Sequence, residues 1–221
     1  MAFEIMKIGI LGGTFNPIHN AHLRVAETTL DRLCLDRILF IPAATPPHKP
    51  LDGDISYEHR RNMVELAIED NPRFAISDIE QQRGGTSYTI DTLRELRRLS
   101  PDDEFFFIIG SDSFQEISSW YCVADIFSTA NIVVVERPEA VISDLTSPLP
   151  VAIRSEFCYL PKEMRLTHRS GFSVFYLPDT LLAISSSAVR QLVRDLRSIR
   201  HLVPDSVSRY ISEKRIFLND R

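Results

Sequence analysis

The sequence predicts a single α/β domain built on a doubly wound parallel sheet. Short apolar segments of strand length alternate with amphipathic segments of helical length along most of the 221 residues. Two of the apolar segments, Glu104–Ile109 and Ile132–Val135, carry apolar side chains on both faces. This pattern is typical of central strands in a parallel sheet that helices cover on both sides.

The predicted elements alternate in chain order, with right-handed crossovers between the parallel strands. Strands are expected at Lys7–Leu11, Arg37–Ile41, Phe74–Ser77, Glu104–Ile109, Ile132–Val135 and Phe172–Leu177. Helices are expected at Asn20–Leu35, Tyr57–Glu69, Thr89–Leu99, Ser186–Leu196 and Asp205–Lys214. A Pro-rich loop spans 42–50, and the prolines of 138–171 interrupt any periodicity. We therefore expect residues 138–171 to form an irregular insertion rather than a second domain, with closing helices from about residue 186.

Composition excludes several classes of function. A formal net charge of −5 argues against broad binding to nucleic acid or to a membrane surface, although a local group of cations could still bind a small anion. The cysteines are odd in number and widely spaced, which indicates neither a disulfide framework nor a zinc knuckle. The sequence shows no apolar leader and no apolar run of membrane-spanning length. These features predict a soluble protein of the cytoplasm.

Residues 12–23, GGTFNPIHNAHL, directly follow the first predicted strand. Gly12 and Gly13 would let backbone N–H groups approach a ligand, and the start of the following helix would favour an anion. His19 and His22 would share one face of that helix and could donate hydrogen bonds to phosphate. Two alternatives stay open: an ordinary turn with incidental histidines, and a zinc site with His48 as a third ligand. The Lys-Ser/Thr ending of a Walker A loop is absent from this stretch.

The same stretch resembles the (H/T)xGH element of the nucleotidylyltransferase superfamily, whose turn reads GGTFDPxHxGH. Further segments match the nicotinate mononucleotide adenylyltransferases of that superfamily, in that family's order. They are PPHK at Pro46–Lys49, SYTIDTL at Ser87–Leu93, IIGSD at Ile108–Asp112, Trp120-Tyr121, VVVERP at Val133–Pro138, ISSSAVR at Ile184–Arg190 and the terminal VPDSVSRYI. Together they cover nearly the whole chain, so the joint match is specific. The resemblance implies a Rossmann-like nucleotidyltransferase fold.

The resemblance also implies two substrate sites and three catalytic residues, His19, His22 and Arg190. ATP would be bound by Gly12, Gly13, Thr14, Phe15, His19, His22, Gly110, Asp112, Ile184, Ser185, Ser186 and Arg190. Nicotinate mononucleotide would be bound by His48, Lys49, Thr86, Tyr88, Thr89, Trp120, Tyr121 and Arg137. The implied reaction transfers the adenylyl group of ATP to the mononucleotide, with Mg²⁺ carried on the triphosphate and no dedicated metal ligands in the chain. Nucleic acid and membranes are not expected partners, and a homo-oligomer stays open.

Simpler readings exist for several of these residues. The sole role of Ser186 could be to cap a helix, and the same holds for Asp112. Lys49 could be an ordinary solvated lysine. The Trp120-Tyr121 pair could belong to the core. Arg60 and the neighbouring Arg61 are expected on a solvated helix face and are not assigned to the site.

The chain departs from the family turn at Asn16, where the family has Asp, and at Ala21, where it has Gly. Ser187 replaces a Thr and keeps its hydroxyl. We expect an ordinary helical backbone at Ala21 and retained activity. Two other acceptors, nicotinamide mononucleotide and phosphopantetheine, stay open, although PPHK and the Trp120-Tyr121 pair argue against phosphopantetheine. A non-catalytic nucleotide sensor also stays open, although the histidines and Arg190 are all present.

Overall fold

A computed structural model describes residues 5–45, 55–178 and 182–218. Its eight strands form one sheet with the order β3-β2-β1-β4-β5-β8-β7-β6. The strands are β1 (Lys7–Gly13), β2 (Arg37–Pro42), β3 (Phe74–Ile76), β4 (Glu104–Gly110), β5 (Asn131–Val135), β6 (Phe157–Leu160), β7 (Arg165–His168) and β8 (Ser173–Leu177). All pairs from β3 to β8 are parallel, and β7 and β6 add an antiparallel edge. The predicted α/β class and doubly wound arrangement are confirmed, with this edge as an addition.

Helices cover both faces of the sheet. They are α1 (Asn20–Arg32), α2 (Tyr57–Ile68), α3 (Ile79–Arg83), α4 (Thr89–Leu99), α5 (Ser111–Gln115), α6 (Val123–Phe127), α7 (Ser186–Arg194) and α8 (Asp205–Lys214), with short 3₁₀ turns at Ile117–Ser119, Val151–Glu156 and Pro161–Glu163. Alternate side chains of β4 enter two separate cores: Phe106 packs on the side of α1, α2, α7 and α8, and Phe107 on the side of α4 to α6. Within the described ranges, no helix is both long and apolar enough to cross a membrane.

The expectation of an irregular insertion at 138–171 was wrong in part, because this segment contains β6 and β7. Each strand has only four residues, so neither gives a readable periodicity, and the prolines lie outside both. In β7, Leu166 and His168 are buried while Arg165 and Thr167 are partly exposed, which is the alternation of a one-sided strand. Residues 138–171 therefore add two strands to the edge of the sheet.

The strand order reverses between β1 and β4, which lie side by side although they are distant in sequence. From β1 the chain builds outward through β2 and β3, and from β4 it builds in the opposite direction. Crossovers on the two sides of such a point diverge to opposite faces, and they leave a crevice at the carboxyl ends of the two strands. The carboxyl ends of β1 and β4 are Gly13 and Gly110, which the sequence assigned to the site.

Candidate functional site

A cleft of about 410 Å³ opens at this switch point. Of the residues predicted to bind ATP or the mononucleotide, the cleft wall contains Gly12, Gly13, Thr14, Phe15, His22, Thr89, Gly110, Trp120 and Arg137. These residues come from distant parts of the chain, and the ends of β1, β4 and β5 bring them together. His48 and Lys49 lie outside the described residues.

The turn that follows β1 is folded tightly into the protein. Phe15 has a φ of 48°, in the left-handed region, and its ring is only 1% exposed. That ring packs edge-on against His22 and tilts against Phe40, with centroid distances of 5.1 and 6.0 Å. The Asn16-Pro17 peptide bond is cis, and both residues are buried. The turn is thus anchored by its apolar side chains while its backbone faces the cleft.

The two histidines of the turn form one stacked unit. His19 is the N-cap residue of α1, and its ring lies 3.7 Å from that of His22, centroid to centroid. The backbone N–H of His19 donates to Nδ1 of His22 at 3.2 Å. Because Nδ1 accepts this bond, the proton of a neutral His22 is on Nε2. His22 is thereby oriented as a hydrogen-bond donor in the wall of the cleft.

Both imidazoles are held in the neutral form. Burial lowers the pKa of His19 to about 4, with a further contribution from the positive charge of Arg137. Burial also lowers the pKa of His22 well below its usual value, and the charges of His19 and Arg137 act in the same direction. Near pH 7 the histidines therefore donate hydrogen bonds as neutral rings, and Arg137 supplies a formal positive charge close to both of them.

The lowered pKa of His19 predicts that the protein becomes less stable as the pH is lowered. The unfolded chain takes up this proton near the ordinary value of 6.5 and the folded chain only near 4, so in that interval the unfolded state binds more protons. The free energy of unfolding should therefore decrease as pH is lowered from 7.5 to 5. Urea unfolding at both pH values should show a larger decrease for the wild type than for His19→Gln, which cannot titrate there. Equal decreases in the two proteins would contradict this explanation.

Side chains of α7 donate hydrogen bonds to the turn and hold it in place. Ser185 accepts a hydrogen bond from the N–H of Ala188 at 3.2 Å, so Ser185, and not Ser186, is the helix cap. The hydroxyl of Ser186 instead donates to the carbonyl oxygen of Pro17 at 2.9 Å. Arg190, which is 6% exposed, donates from Nη1 to the carbonyl oxygen of Asn16 at 2.8 Å. These side chains contact the turn, as predicted for one site, but they do so through its carbonyl groups.

Only some of the residues predicted to bind the mononucleotide line the cleft. Trp120 lines the cleft and packs edge-on against Phe107 with ring centroids 6.2 Å apart, and Thr89 lines the same wall. Tyr88 and Tyr121 pack on each other at 4.7 Å outside the cleft lining, and Tyr121 is 56% exposed. Thr86 is also exposed and lies outside the lining.

Asp112 and Arg137 lie just after the ends of β4 and β5, and of the two only Arg137 lines the cleft. Nε of Arg137 lies 3.8 Å from a carboxylate oxygen of Asp112, and both side chains are substantially exposed. A Cβ on Gly110 would fall 2.2 Å from the Asp112 carboxylate and 2.9 Å from that nitrogen. The missing side chain of Gly110 therefore leaves room for this pair beside the cleft. Ile184, another predicted ATP residue, packs against the core on the α1 side.

Sequence reasoning missed Arg60. It is fully buried, whereas we had expected it on a solvated face, and its Nη1 donates to the carbonyl oxygen of Thr14 at 2.8 Å. Arg61 does lie at the surface, where it pairs with Glu65 and Asp78. Spacing could have revealed the difference, because Arg60 is three and four residues before the buried Met63 and Val64 on one face of α2.

The predicted helical backbone at Ala21 is confirmed, since this residue lies in regular helix α1 and does not have a positive φ. It is 4% exposed and lines the cleft, so a small side chain is accommodated there. The substitution of Gly by Ala therefore leaves the turn intact.

Comparison with known proteins agrees with this geometry. The cytidylyltransferase-like family model matches residues 10–192. A relative from Geobacter metallireducens, described as "Probable nicotinate-nucleotide adenylyltransferase", is 61% identical over 98% of this chain and 100% of its own length. A relative from Geobacter sulfurreducens with the same description is 57% identical over 97% and 100% of the two chains.

Among solved structures, the nicotinic acid mononucleotide adenylyltransferase of Plasmodium falciparum, complexed with NaAD, superposes with a TM-score of 0.74. It is 20% identical and the match covers 96% of this chain and 97% of that one, so it shows a shared fold. The cleft at the switch point, the turn with its paired histidines and the full-length relatives all lead to one assignment. The chain belongs to the cytidylyltransferase-like family and, within it, to the nicotinate-nucleotide adenylyltransferases.

Proposed function

We propose that the cleft beside β1 transfers the adenylyl group of ATP to nicotinate mononucleotide, with the turn and His22 at the reacting phosphate. The products are nicotinic acid adenine dinucleotide and pyrophosphate, in the biosynthesis of NAD. The activity follows from membership of the family, whose relatives match this chain over nearly its full length. The observation that supports the placement best is the neutral, oriented His22 in the wall of the cleft.

The reaction is an in-line displacement at the α-phosphorus of ATP. An oxygen of the mononucleotide phosphate forms the new P–O bond while the bond to the β-phosphate oxygen breaks, and pyrophosphate carries away that electron pair. The attacking phosphate is already an anion, so the reaction needs no strong general base and no covalent intermediate. Catalysis then consists of positioning the two phosphates and stabilising the charge that develops on them.

Each residue of the site has a part in that stabilisation. Nε2–H of His22 donates to a non-bridging oxygen of the α-phosphate, since its other nitrogen is engaged by the His19 backbone. Arg137 supplies a positive charge in the cleft wall, close enough to lower the pKa of both histidines. Arg190 holds the carbonyl oxygen of Asn16 and so keeps the turn in place for the departing pyrophosphate. Trp120 would stack on the pyridine ring, with Thr89 beside it.

Mg²⁺ fits this site as an ion bound to the triphosphate. The described residues contain no group of three or more His, Cys, Asp or Glu side chains that could hold a metal ion. An ion held mainly by phosphate oxygens and water is the usual arrangement for Mg²⁺ with nucleotides, and it would neutralise part of the phosphate charge. We therefore propose ATP–Mg²⁺ as the substrate form. We also propose that the reaction takes place in the cytoplasm.

Release of pyrophosphate tests the function and the acceptor together. Purified protein with ATP and Mg²⁺ should turn over with nicotinate mononucleotide, more slowly with nicotinamide mononucleotide, and not with phosphopantetheine. Excess EDTA should stop the reaction. Turnover with none of the acceptors would refute the enzymatic proposal and leave a nucleotide sensor, and preference for the amide would overturn the choice of acceptor.

A further inference from the structure

A buried cation lies directly beneath the phosphate-binding turn. Arg60 projects from α2, is 0% exposed, and donates from Nη1 to the carbonyl oxygen of Thr14 at 2.8 Å. Its guanidinium also lies 5.5 Å from the ring centroid of Tyr57. In the described part of the chain, Nε and Nη2 of Arg60 find no hydrogen-bond partner. Burial lowers the pKa of Arg60, and the nearby charge of Glu80 offsets this only in part, so holding the guanidinium in this position is costly.

The bond to Thr14 determines where the next amide points. The Thr14–Phe15 peptide is trans, and in a trans peptide the C=O and N–H groups point in opposite directions. Since Arg60 holds the oxygen of Thr14 toward the protein interior, the N–H of Phe15 is aimed away from it. Both residues line the cleft, and among the described residues no acceptor bonds this N–H. The amide is therefore a donor available to a ligand.

The conformation that aims this amide is not one the chain adopts easily. Phe15 has a φ of 48°, and a bulky L-residue in the left-handed region is strained. Such a residue persists only where the surroundings hold it. Two contacts do so here: the packing of the Phe15 ring against His22 and Phe40, and the hydrogen bond from Arg60.

We infer that Arg60 is a positioning residue for ATP, which acts by holding the Thr14 carbonyl so that the Phe15 amide donates to a phosphate oxygen. The positive charge of Arg60 next to the turn also attracts the negatively charged triphosphate. The inference rests on the proposed function, because the anion that the amide meets is the triphosphate. Arg60 itself touches neither substrate, and its effect passes through the backbone of the turn.

Arg60→Met removes the donor and the charge while it keeps an apolar side chain of similar length. Arg61→Met is the matched control, since it changes the neighbouring arginine, which pairs with Glu65 and Asp78 and not with the turn. Steady-state kinetics should show a KM for ATP raised by about tenfold or more in Arg60→Met, with the KM for the mononucleotide nearly unchanged. Arg60→Lys, which keeps a charge and a donor, should restore part of the affinity. Arg61→Met should behave as the wild type.

A residue that only stabilised the fold would reduce the active fraction, and so the apparent kcat, without changing either KM. If Arg60→Met matches Arg61→Met in its KM for ATP while the wild type is active, the inference is wrong and the proposed function stands. Lack of turnover in the wild type would instead refute the proposed function.

Hydrogen exchange of the wild type tests the inference even if Arg60→Met does not fold. Saturating α,β-methylene ATP should slow exchange of the Phe15 amide at least tenfold, because the amide becomes hydrogen-bonded. The same analogue should give weaker protection in Arg60→Lys. An unchanged exchange rate at Phe15 in the nucleotide-bound wild type would overturn the inference.

Discussion

His22→Ala is expected to lower kcat for adenylyl transfer by about 100-fold or more. The substitution removes the Nε2–H donor that we propose faces the reacting phosphate, and one preorganised donor to a developing charge typically contributes two to three powers of ten. It also removes the acceptor of the His19 N–H bond and the stacking partner of the His19 ring. The measurement is the initial rate of pyrophosphate release at saturating ATP and nicotinate mononucleotide.

His59→Ala is the control for this experiment. His59 contacts the hydroxyl of Tyr210 at 2.9 Å and does not line the cleft, so its removal should leave kcat within about twofold of the wild type. His22→Gln, which offers an amide donor, should recover part of the lost rate. If His22→Ala retains more than a tenth of the wild-type kcat, His22 does not stabilise the transition state as proposed.

Phe40→Ala is expected to lower the free energy of unfolding by about 3–5 kcal/mol. The ring is fully buried on β2 between two other rings, with centroid distances of 6.0 Å to Phe15 and 5.2 Å to Phe74. Truncation would leave a cavity beneath the turn, which the sheet cannot fill without moving. For a chain of this length the loss corresponds to a decrease in Tm of about 10 °C. Urea unfolding followed by far-UV circular dichroism would measure it.

The matched control is Leu196→Ala, which truncates an apolar side chain that is 79% exposed. It should change the free energy of unfolding by no more than about 0.5 kcal/mol. Because Phe40 supports the ring of Phe15, Phe40→Ala should also raise the KM for ATP under conditions where it remains folded. A loss of stability below 1 kcal/mol would mean that the neighbouring side chains close the cavity.

The sequence predicts most of the fold because the hydrophobic periodicity of each segment agrees with the residues that mark where helices and strands end. Thr89–Leu99 and Asp205–Lys214 were predicted with the bounds that the structure has. Helix α1 ends three residues early, at Arg32, because Cys34 adopts a left-handed backbone with a φ of 50°. Nothing in the identity of a cysteine predicts that conformation. The two strands of the insertion were missed because four residues are too few to display a period.

The sequence indicated several of the residues that line the cleft, but not the contacts that these residues make. A motif identifies His22, but the N–H of His19 that selects its tautomer depends on the three-dimensional turn. Arg190 is expected to clamp phosphate, and the sequence did not indicate the hydrogen bond that its guanidinium donates to the Asn16 carbonyl. Arg60 was assigned to solvent because arginines usually are exposed. In each case the deciding partner is a backbone group, and side-chain identities carry no information about it.

The bonds from Ser186 and Arg190 to the turn join residues that are 169 and 174 positions apart. A chain emerging from the ribosome therefore makes the histidines long before it makes the groups that anchor them. Until the segment around residue 190 has emerged and docked, the turn lacks two of its supports. These two supports of the turn can therefore form only after most of the chain has been synthesised.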